Sequence, residues 1–288
     1  SNNPGRSGEN REVSEQNEPD RYGVVGYPVS HSRSPIIHRV FAQQTGQHLT
    51  YELLEVPPAE LESAIRTFQR QGGRGLNITV PHKSEAVRLV DELSEAASMA
   101  GAVNTLSISS DSVRGDNTDG VGLVRDLRKN HRVAVEGARV LILGAGGATR
   151  GIMAPLLDEQ PTTITLANRT VSKAQALANH FGSMGAVHAC RFDDIVEDVD
   201  YDLVINATSA GLRGEALPFP AGIVTAETVC YDLSYGTGDT PFTRWARTQG
   251  ARRAIVGWGM LVEQAAESFY IWRGVRPDTR SVLKRLPR

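Results

Sequence analysis

Residues 139–151 read "RVLILGAGGATRG", an apolar run that breaks on Gly144, Gly146 and Gly147 and resumes as the helical pattern "ATRGIMAPLL". The run reads as a buried strand followed by a tight turn into a helix. In a dinucleotide-binding turn the first glycine permits the bend and the second lets the backbone approach a pyrophosphate, whose charge the helix N-terminus holds. Thr149 stands where the strict pattern has its third glycine, so the turn alone is equally a plain tight connection. No Gly-Lys-Ser/Thr follows, which disfavours a Walker-type loop.

The end of the next strand decides between these readings. There, about twenty residues on, a fold that binds NAD places an acidic residue against the ribose 2′-hydroxyl. This chain has "ANRTVSK", in which Asn168, Arg169, Thr170 and Lys173 offer donors and two positive charges. An aspartate would repel a 2′-phosphate, whereas Arg169 can bind it and stack on adenine. The expected cofactor is therefore NADP (NADPH) rather than NAD.

Upstream and downstream, short apolar runs alternate with amphipathic stretches. Residues 32–46 predict a helix capped by Ser34, with Pro35 in its first turn and Gly46 at its end. Residues 49–56 predict a strand, 58–73 a helix closed by glycine, 74–80 a strand, and 83–93 a helix. Residues 162–181 repeat the strand-then-helix order; 201–211 and 228–236 supply two more strands, and 259–275 an apolar helix. This alternation predicts an α/β fold with largely parallel sheets. A length of 288 residues favours two domains.

Thirty-one basic and thirty-three acidic side chains leave a net charge of -2, so no global field draws the chain to nucleic acid or anionic lipid. A small-molecule ligand fits better. Two cysteines, Cys190 and Cys230, suggest neither a disulfide framework nor zinc-ligand spacing, and no metal site is expected. A cytoplasmic location suits that usage. No run of eighteen apolar residues occurs, and residues 1–20, rich in Asn, Glu, Ser, Gly and Pro, read as a disordered tail.

Polar residues gather where apolar strands of the first unit end: Ser32, Ser34, Asn77, Thr79, Lys83, Asn104, and "GDNTDG" with Asp116, Asn117 and Asp119. The carboxyl ends of strands in an open sheet are where ligands bind. Neutral hydroxyls and amides suit a polyhydroxylated substrate, since each hydroxyl taken from water needs a partner. Asn, Asp and Ser also make turns and caps, which accounts for part of the pattern. A lysine desolvated in a cleft exchanges a proton near neutral pH, which makes Lys83 the candidate acid/base. His82 is expected to be a surface neighbour, with His31 and His38 equally unremarkable.

In this order "HSRSP", "NITVPHK", "AGAVNT", "GDNTDG", "GAGGATRG", "NRTVSK", "NATSAG" and "GMLVEQA" resemble the shikimate dehydrogenase family from about Tyr22 onward. The resemblance implies reversible, NADPH-dependent reduction of 3-dehydroshikimate to shikimate, on the route to chorismate and the aromatic amino acids. It implies that Lys83 transfers a proton with Asp119 as its hydrogen-bonded partner. Ser32 and Ser34 would hold the substrate carboxylate with Tyr235; Thr79, Asn104, Asp119 and Gln264 would bind ring hydroxyls, beside Asn77 at the same strand tip. For the cofactor it implies Gly144, Ala145, Gly146, Gly147 and Ala148 at the pyrophosphate, and Asn168, Arg169, Thr170 and Lys173 at the adenosine phosphate. Ala207, Leu233 and Gly257 would lie at the nicotinamide end, with Glu95 near the cofactor. The implied organisation is a substrate domain over residues 21–119 completed by 258–288, and a Rossmann-like NADP domain over 120–257, with the active-site cleft between them. Relatives occur as monomers and homodimers. His82 replaces a common phenylalanine and Trp258 a frequent leucine.

Two rival functions remain at this stage. A quinate/shikimate dehydrogenase of broader specificity shares the motifs, although its NAD-accepting members carry an aspartate where Arg169 and Thr170 stand. A catalytically silent NADPH-sensing module is the other, and retention of both Lys83 and Asp119 argues against it.

Overall fold

The computed structural model describes residues 18–285. Most of the expected tail, residues 1–17, lies outside them, and the first strand opens at Asp20, the last tail position. The N-terminal part contains β1 (Asp20–Gly26), α1 (Ser34–Thr45), β2 (Leu49–Glu55), α2 (Leu61–Arg70), β3 (Gly75–Ile78), β4 (Glu92–Leu93), α3 (Glu95–Ala100), β5 (Thr105–Ile108) and β6 (Val113–Asp116). Its six strands run β2-β1-β3-β5-β6-β4. Only β5 is antiparallel to its neighbours, β3 and β6. Leu61, Ile65 and Phe68 recur at helical spacing on α2 and pack with Val25, Leu76, Ile78 and Leu106 of the sheet. Burying each such side chain is worth about 1.5–3 kcal/mol.

Helix α4 (Asp119–Arg125) leads into β7 (Arg139–Leu143), α5 (Gly147–Asp158), β8 (Thr163–Ala167), α6 (Val171–Phe181), β9 (Val187–Cys190), β10 (Leu203–Asn206), β11 (Val229–Asp232), α7 (Pro241–Thr248) and β12 (Arg253–Val256). These strands form an all-parallel sheet in the order β12-β11-β10-β7-β8-β9, whose order reverses beside β7. A crevice opens at such a reversal. Then α8 (Trp258–Arg273) and α9 (Arg280–Leu283) return to the first sheet. Val262, Ala265 and Phe269 of α8 pack with Ile37 and Phe41 of α1. Gly122 lets α4 approach α8: a Cβ there would lie 2.8 Å from the Gln264 nitrogen.

Two local expectations need correction. Residues 83–93 do not form a helix; a 3-10 turn over Glu85–Leu89 gives way to extended chain at Val90 and then β4. The edge of β6 captures this segment, with Asp91 N donating to Val113 O and Ser94 N to Gly115 O, and those bonds exclude helical continuation. Ser34 is the first helical residue of α1 rather than its cap. Its own N–H is accepted by Ser32 Oγ at 3.2 Å. Gly46 ends that helix at φ +66, a conformation that favours glycine.

Candidate active site

A cleft of about 550 Å³ opens where the strand tips of the two sheets face each other. Ser32, Ser34, Asn77, Thr79, Lys83, Asn104 and Asp119 line it from the first sheet's side, and Gly147, Ala148, Leu233, Tyr235 and Gly257 from the second. Gln264 reaches it from α8. Strand β3 ends at Ile78, so the following segment can carry Thr79 and Lys83 over the crevice. The turn into α4 supplies Asp119 from the opposite side.

Lys83 Nζ donates to Asp119 Oδ2 at 2.7 Å, with both side chains partly open to the cleft. The other carboxylate oxygen, Oδ1, accepts from Asn104 Nδ2 at 3.1 Å. Asn104 Nδ2 also faces Thr118 Oγ1 at 2.8 Å and Gln264 Oε1 at 3.2 Å. Its Oδ1 accepts from Thr118 N and Thr105 Oγ1, which fixes the amide orientation. Asn77 is held similarly: Tyr51 OH donates to its Oδ1 at 2.7 Å, and its Nδ2 lies 3.2 Å from Ser268 Oγ. Burial pushes the Tyr51 phenol well above its usual range, so it stays a proton donor. Burial also raises the Tyr235 phenol, opposed by the nearby Arg33 guanidinium.

These bonds join the first sheet to α8 through a buried polar network that the sequence reading missed in part. Tyr51, Thr105 and Ser268 were not singled out, because hydroxyls inside apolar segments carry no pattern of their own, and Thr118 was passed over beside the carboxylates and amide of "GDNTDG". His82 requires a correction: it is buried, not a surface neighbour, and its Nε2 donates to Val56 O at 2.6 Å. It fills a core position at the base of the segment that presents Lys83.

The remaining candidates surround the second sheet's tips beyond the cleft. Gly144, at φ +108, sits against the Ala207 carbonyl oxygen, 3.1 Å from where its Cβ would be, and Ala207 is half-buried there. Ala145 is buried behind the turn, and Gly146 faces solvent. Thr149 Oγ1 donates to Gly144 O at 2.9 Å, closing the turn from within where the strict pattern has glycine. A Cβ at Gly146 or Gly147 would meet nothing within 4 Å. The backbone there is open to a ligand, and the first N–H groups of α5 are unclaimed by the helix, which together fit a pyrophosphate. Asn168 Nδ2 donates to Thr170 O, bending the chain so that Arg169, Thr170 and Lys173 stand exposed beyond β8. Neither Arg169 nor Lys173 forms an ion pair among the described residues. Glu95 is exposed in the first turn of α3 and does not line the cleft.

Comparison with known proteins covers nearly the whole fold. Family models match residues 24–106 as a shikimate dehydrogenase substrate binding domain, 126–213 as shikimate / quinate 5-dehydrogenase, and 257–286 as a shikimate 5'-dehydrogenase C-terminal domain. The chain is 53% identical over 267 residues to the shikimate dehydrogenase (NADP(+)) of Alkalilimnicola ehrlichii, covering 93% of this chain and 98% of the relative. It is 54% identical over 272 residues to that of Aromatoleum aromaticum, covering 93% and 97%. Among solved structures, the shikimate 5-dehydrogenase of Thermus thermophilus, in complex with NADP(H) and shikimate, superposes with a TM-score of 0.82 at 31% identity, covering 92% of this chain and 97% of that one.

Proposed function

The chain belongs to the shikimate dehydrogenase family, and on that premise we propose that Lys83 and Asp119 perform the proton half of its reaction in the cleft between the two sheets. The reaction is the reversible, NADP-dependent reduction of 3-dehydroshikimate to shikimate, on the route to chorismate and the aromatic amino acids. The observation that carries the residue assignment is the 2.7 Å contact between Lys83 and Asp119, inside a cleft reached from the glycine turn.

Bound NADPH supplies the hydride received by the substrate's carbonyl carbon. As charge develops on the carbonyl oxygen, Lys83 Nζ gives it a proton, and in the reverse direction takes it back. Asp119 orients the ammonium, while Asn104 holds the far carboxylate oxygen so that Asp119 keeps its aim. Ser32, Ser34 and Tyr235, which line the same cleft, would receive the carboxylate, and Asn77, Thr79, Asn104, Asp119 and Gln264 would pair with ring hydroxyls. Leu233 and Gly257 line the nicotinamide end, adjoining Ala207. Gly144 to Ala148 would hold the pyrophosphate, and Asn168, Arg169, Thr170 and Lys173 would receive the 2′-phosphate. Glu95, exposed in the first turn of α3 and outside the cleft lining, would meet the cofactor only at its edge. The domain division we infer is residues 21–119 with 258–288 for substrate and 120–257 for NADP.

Among the described residues no helix is long and apolar enough to cross a membrane. The free thiols Cys190 and Cys230 suit a cytoplasmic enzyme. We infer that the enzyme works as a monomer or a homodimer.

The family description that includes quinate keeps a broader specificity in view. The deciding experiment follows NADPH formation at 340 nm from NADP+ with shikimate or quinate. Brisk turnover of shikimate and weak turnover of quinate are expected. Comparable rates on both would favour the broader enzyme, and no turnover of either would favour a silent sensing module.

A further inference from the structure

Arg150 lies in the first turns of α5, just past the glycine turn, but its side chain reaches the other domain. Its Nε donates to the carbonyl oxygen of Met99 at 3.2 Å, at the end of α3. Gly101 makes room for it: the residue has φ +62, and a Cβ there would lie 2.6 Å from Arg150 Cζ and 2.8 Å from Nη1. One guanidinium therefore joins a helix of the cofactor side to a helix of the substrate side, over a glycine where a Cβ would push that guanidinium aside.

The residues after Gly101 carry that contact into the site. The Ala102 carbonyl accepts from Asn117 Nδ2 at 3.0 Å, Val103 N donates to Lys83 O at 2.9 Å, and Asn104 Nδ2 donates to Asp119 Oδ1 at 3.1 Å. On the other side, Arg150 N donates to Gly146 O at 3.1 Å, and Gly147 and Ala148 line the cleft. A continuous chain of bonds thus runs from the phosphate-binding turn to the groups that face the substrate.

We propose that Arg150 is a positioning residue that couples the two halves of the site, so that a dinucleotide seated on the glycine turn fixes, through the bond to Met99, the arrangement of Asn104 and Asp119 that binds shikimate. This rests on reading the cleft as the shikimate and NADP site. Coupling of this kind is reciprocal, so each ligand tightens the other by the same factor.

The test titrates shikimate calorimetrically into the enzyme alone and into enzyme saturated with NADPH, a pair in which both ligands are already reduced and no turnover occurs. Wild type should bind shikimate about tenfold more tightly with NADPH present. Arg150→Met, which keeps bulk and loses the donor, should bring that ratio to about one while NADPH affinity without shikimate stays within about twofold. Arg150→Lys, which restores a donor, should recover most of the ratio. Weakened NADPH binding with the ratio intact in Arg150→Met would make Arg150 a pyrophosphate ligand and overturn the proposal, as would a wild-type ratio of one. Turnover of shikimate with NADP+ is read in the same preparations. Its absence from wild type sinks the functional reading, whereas normal wild-type turnover with an unchanged ratio in Arg150→Met sinks the coupling alone.

Discussion

Lys83 and Asp119 lie 36 positions apart in the chain and 2.7 Å apart in space. The pair is part-exposed, and such pairs contribute only about 0–1 kcal/mol to stability. Asp119 has a second contact, with Asn104, that does not involve the lysine. Lys83→Ala is therefore expected to fold normally and to lose about 10²- to 10⁴-fold in kcat, the range for removing a positioned acid or base, with much less change in KM for shikimate. Steady-state kinetics beside a thermal melt checks this, and near-normal turnover would refute the role. The strand tips made Ser32, Ser34, Asn77, Thr79, Lys83, Asn104 and Asp119 visible in the sequence, because polar residues at the exits of apolar runs need a reason to be there. Tyr235 and Gln264 came only through motif resemblance, since nothing local ties "DLSYG" or "LVEQA" to the first hundred residues. Ser268 and Thr105 stayed hidden, although their hydroxyls lie 2.8 Å apart beneath Asn77. Each sits in an apolar segment where a hydroxyl is as readily a solvent-facing residue. His82 misled because a lone histidine beside a lysine suggests a wet surface, and its contact with Val56 O is tertiary.

Helices and strands with long apolar periods were legible: β7 with α5, β8 with α6, and α8. Those that depend on pairing were not. The segment entering β4 has a helical pattern, but bonds to β6 decide its shape. Strands β9 (Val187–Cys190) and β12 (Arg253–Val256) are as short as β10 and β11 but lack their unbroken buried run, and exist because neighbouring strands offer open edges. The junction of β12 with α8 shows how a single small residue sets an element's exit. Gly257 N donates to Ser234 O at 2.9 Å. A Cβ at Gly257 would lie 2.8 Å from the Asp232 carbonyl oxygen and closer still to that of Leu233, so backbone would have to move. Gly257→Ala is expected to cost about 1–3 kcal/mol, as overpacking does, and to lower Tm by roughly 2–10 °C. Because Gly257 and Leu233 both line the cleft, KM for NADPH should rise as well. An unchanged melt with unchanged KM would show that the junction yields freely, contrary to this account.

The two sheets are bound into one molecule by α4 and α8, and the seam where α8 returns to the first sheet contains an acid-sensitive group. His38 is 1% exposed, stacked on Tyr51 with ring centroids 4.3 Å apart and bordered by Phe41, Phe269 and Trp272. Neither ring nitrogen meets a partner in good hydrogen-bonding geometry among the described residues, and the neighbouring Asn77 side chain only partly offsets the burial. Burial pushes its pKa down to about 3, because a charged imidazole has no water there to solvate it. In the unfolded chain the same ring takes a proton near the usual value of about 6.5. Between these values the unfolded state binds the extra proton, so stability is intact above pH ~6.5 and is lost as pH falls toward ~3. The limiting slope is about 1.4 kcal/mol per pH unit, which by pH 4.5 amounts to roughly 2–3 kcal/mol. Asp232 and Glu263 act in the opposite sense, since burial raises both carboxyls and acid therefore relieves them. The net acid slope of the wild type mixes these contributions, and a variant is needed to isolate the histidine. His38→Phe suits the aromatic surroundings and carries no titrating group. Urea unfolding at pH 7.5, 6.0 and 4.5 should show wild-type stability declining with acid by about 2–3 kcal/mol more than that of His38→Phe. Parallel declines in the two proteins would mean that the folded seam accepts a proton on His38, and the assignment of acid sensitivity to this buried ring would then be wrong.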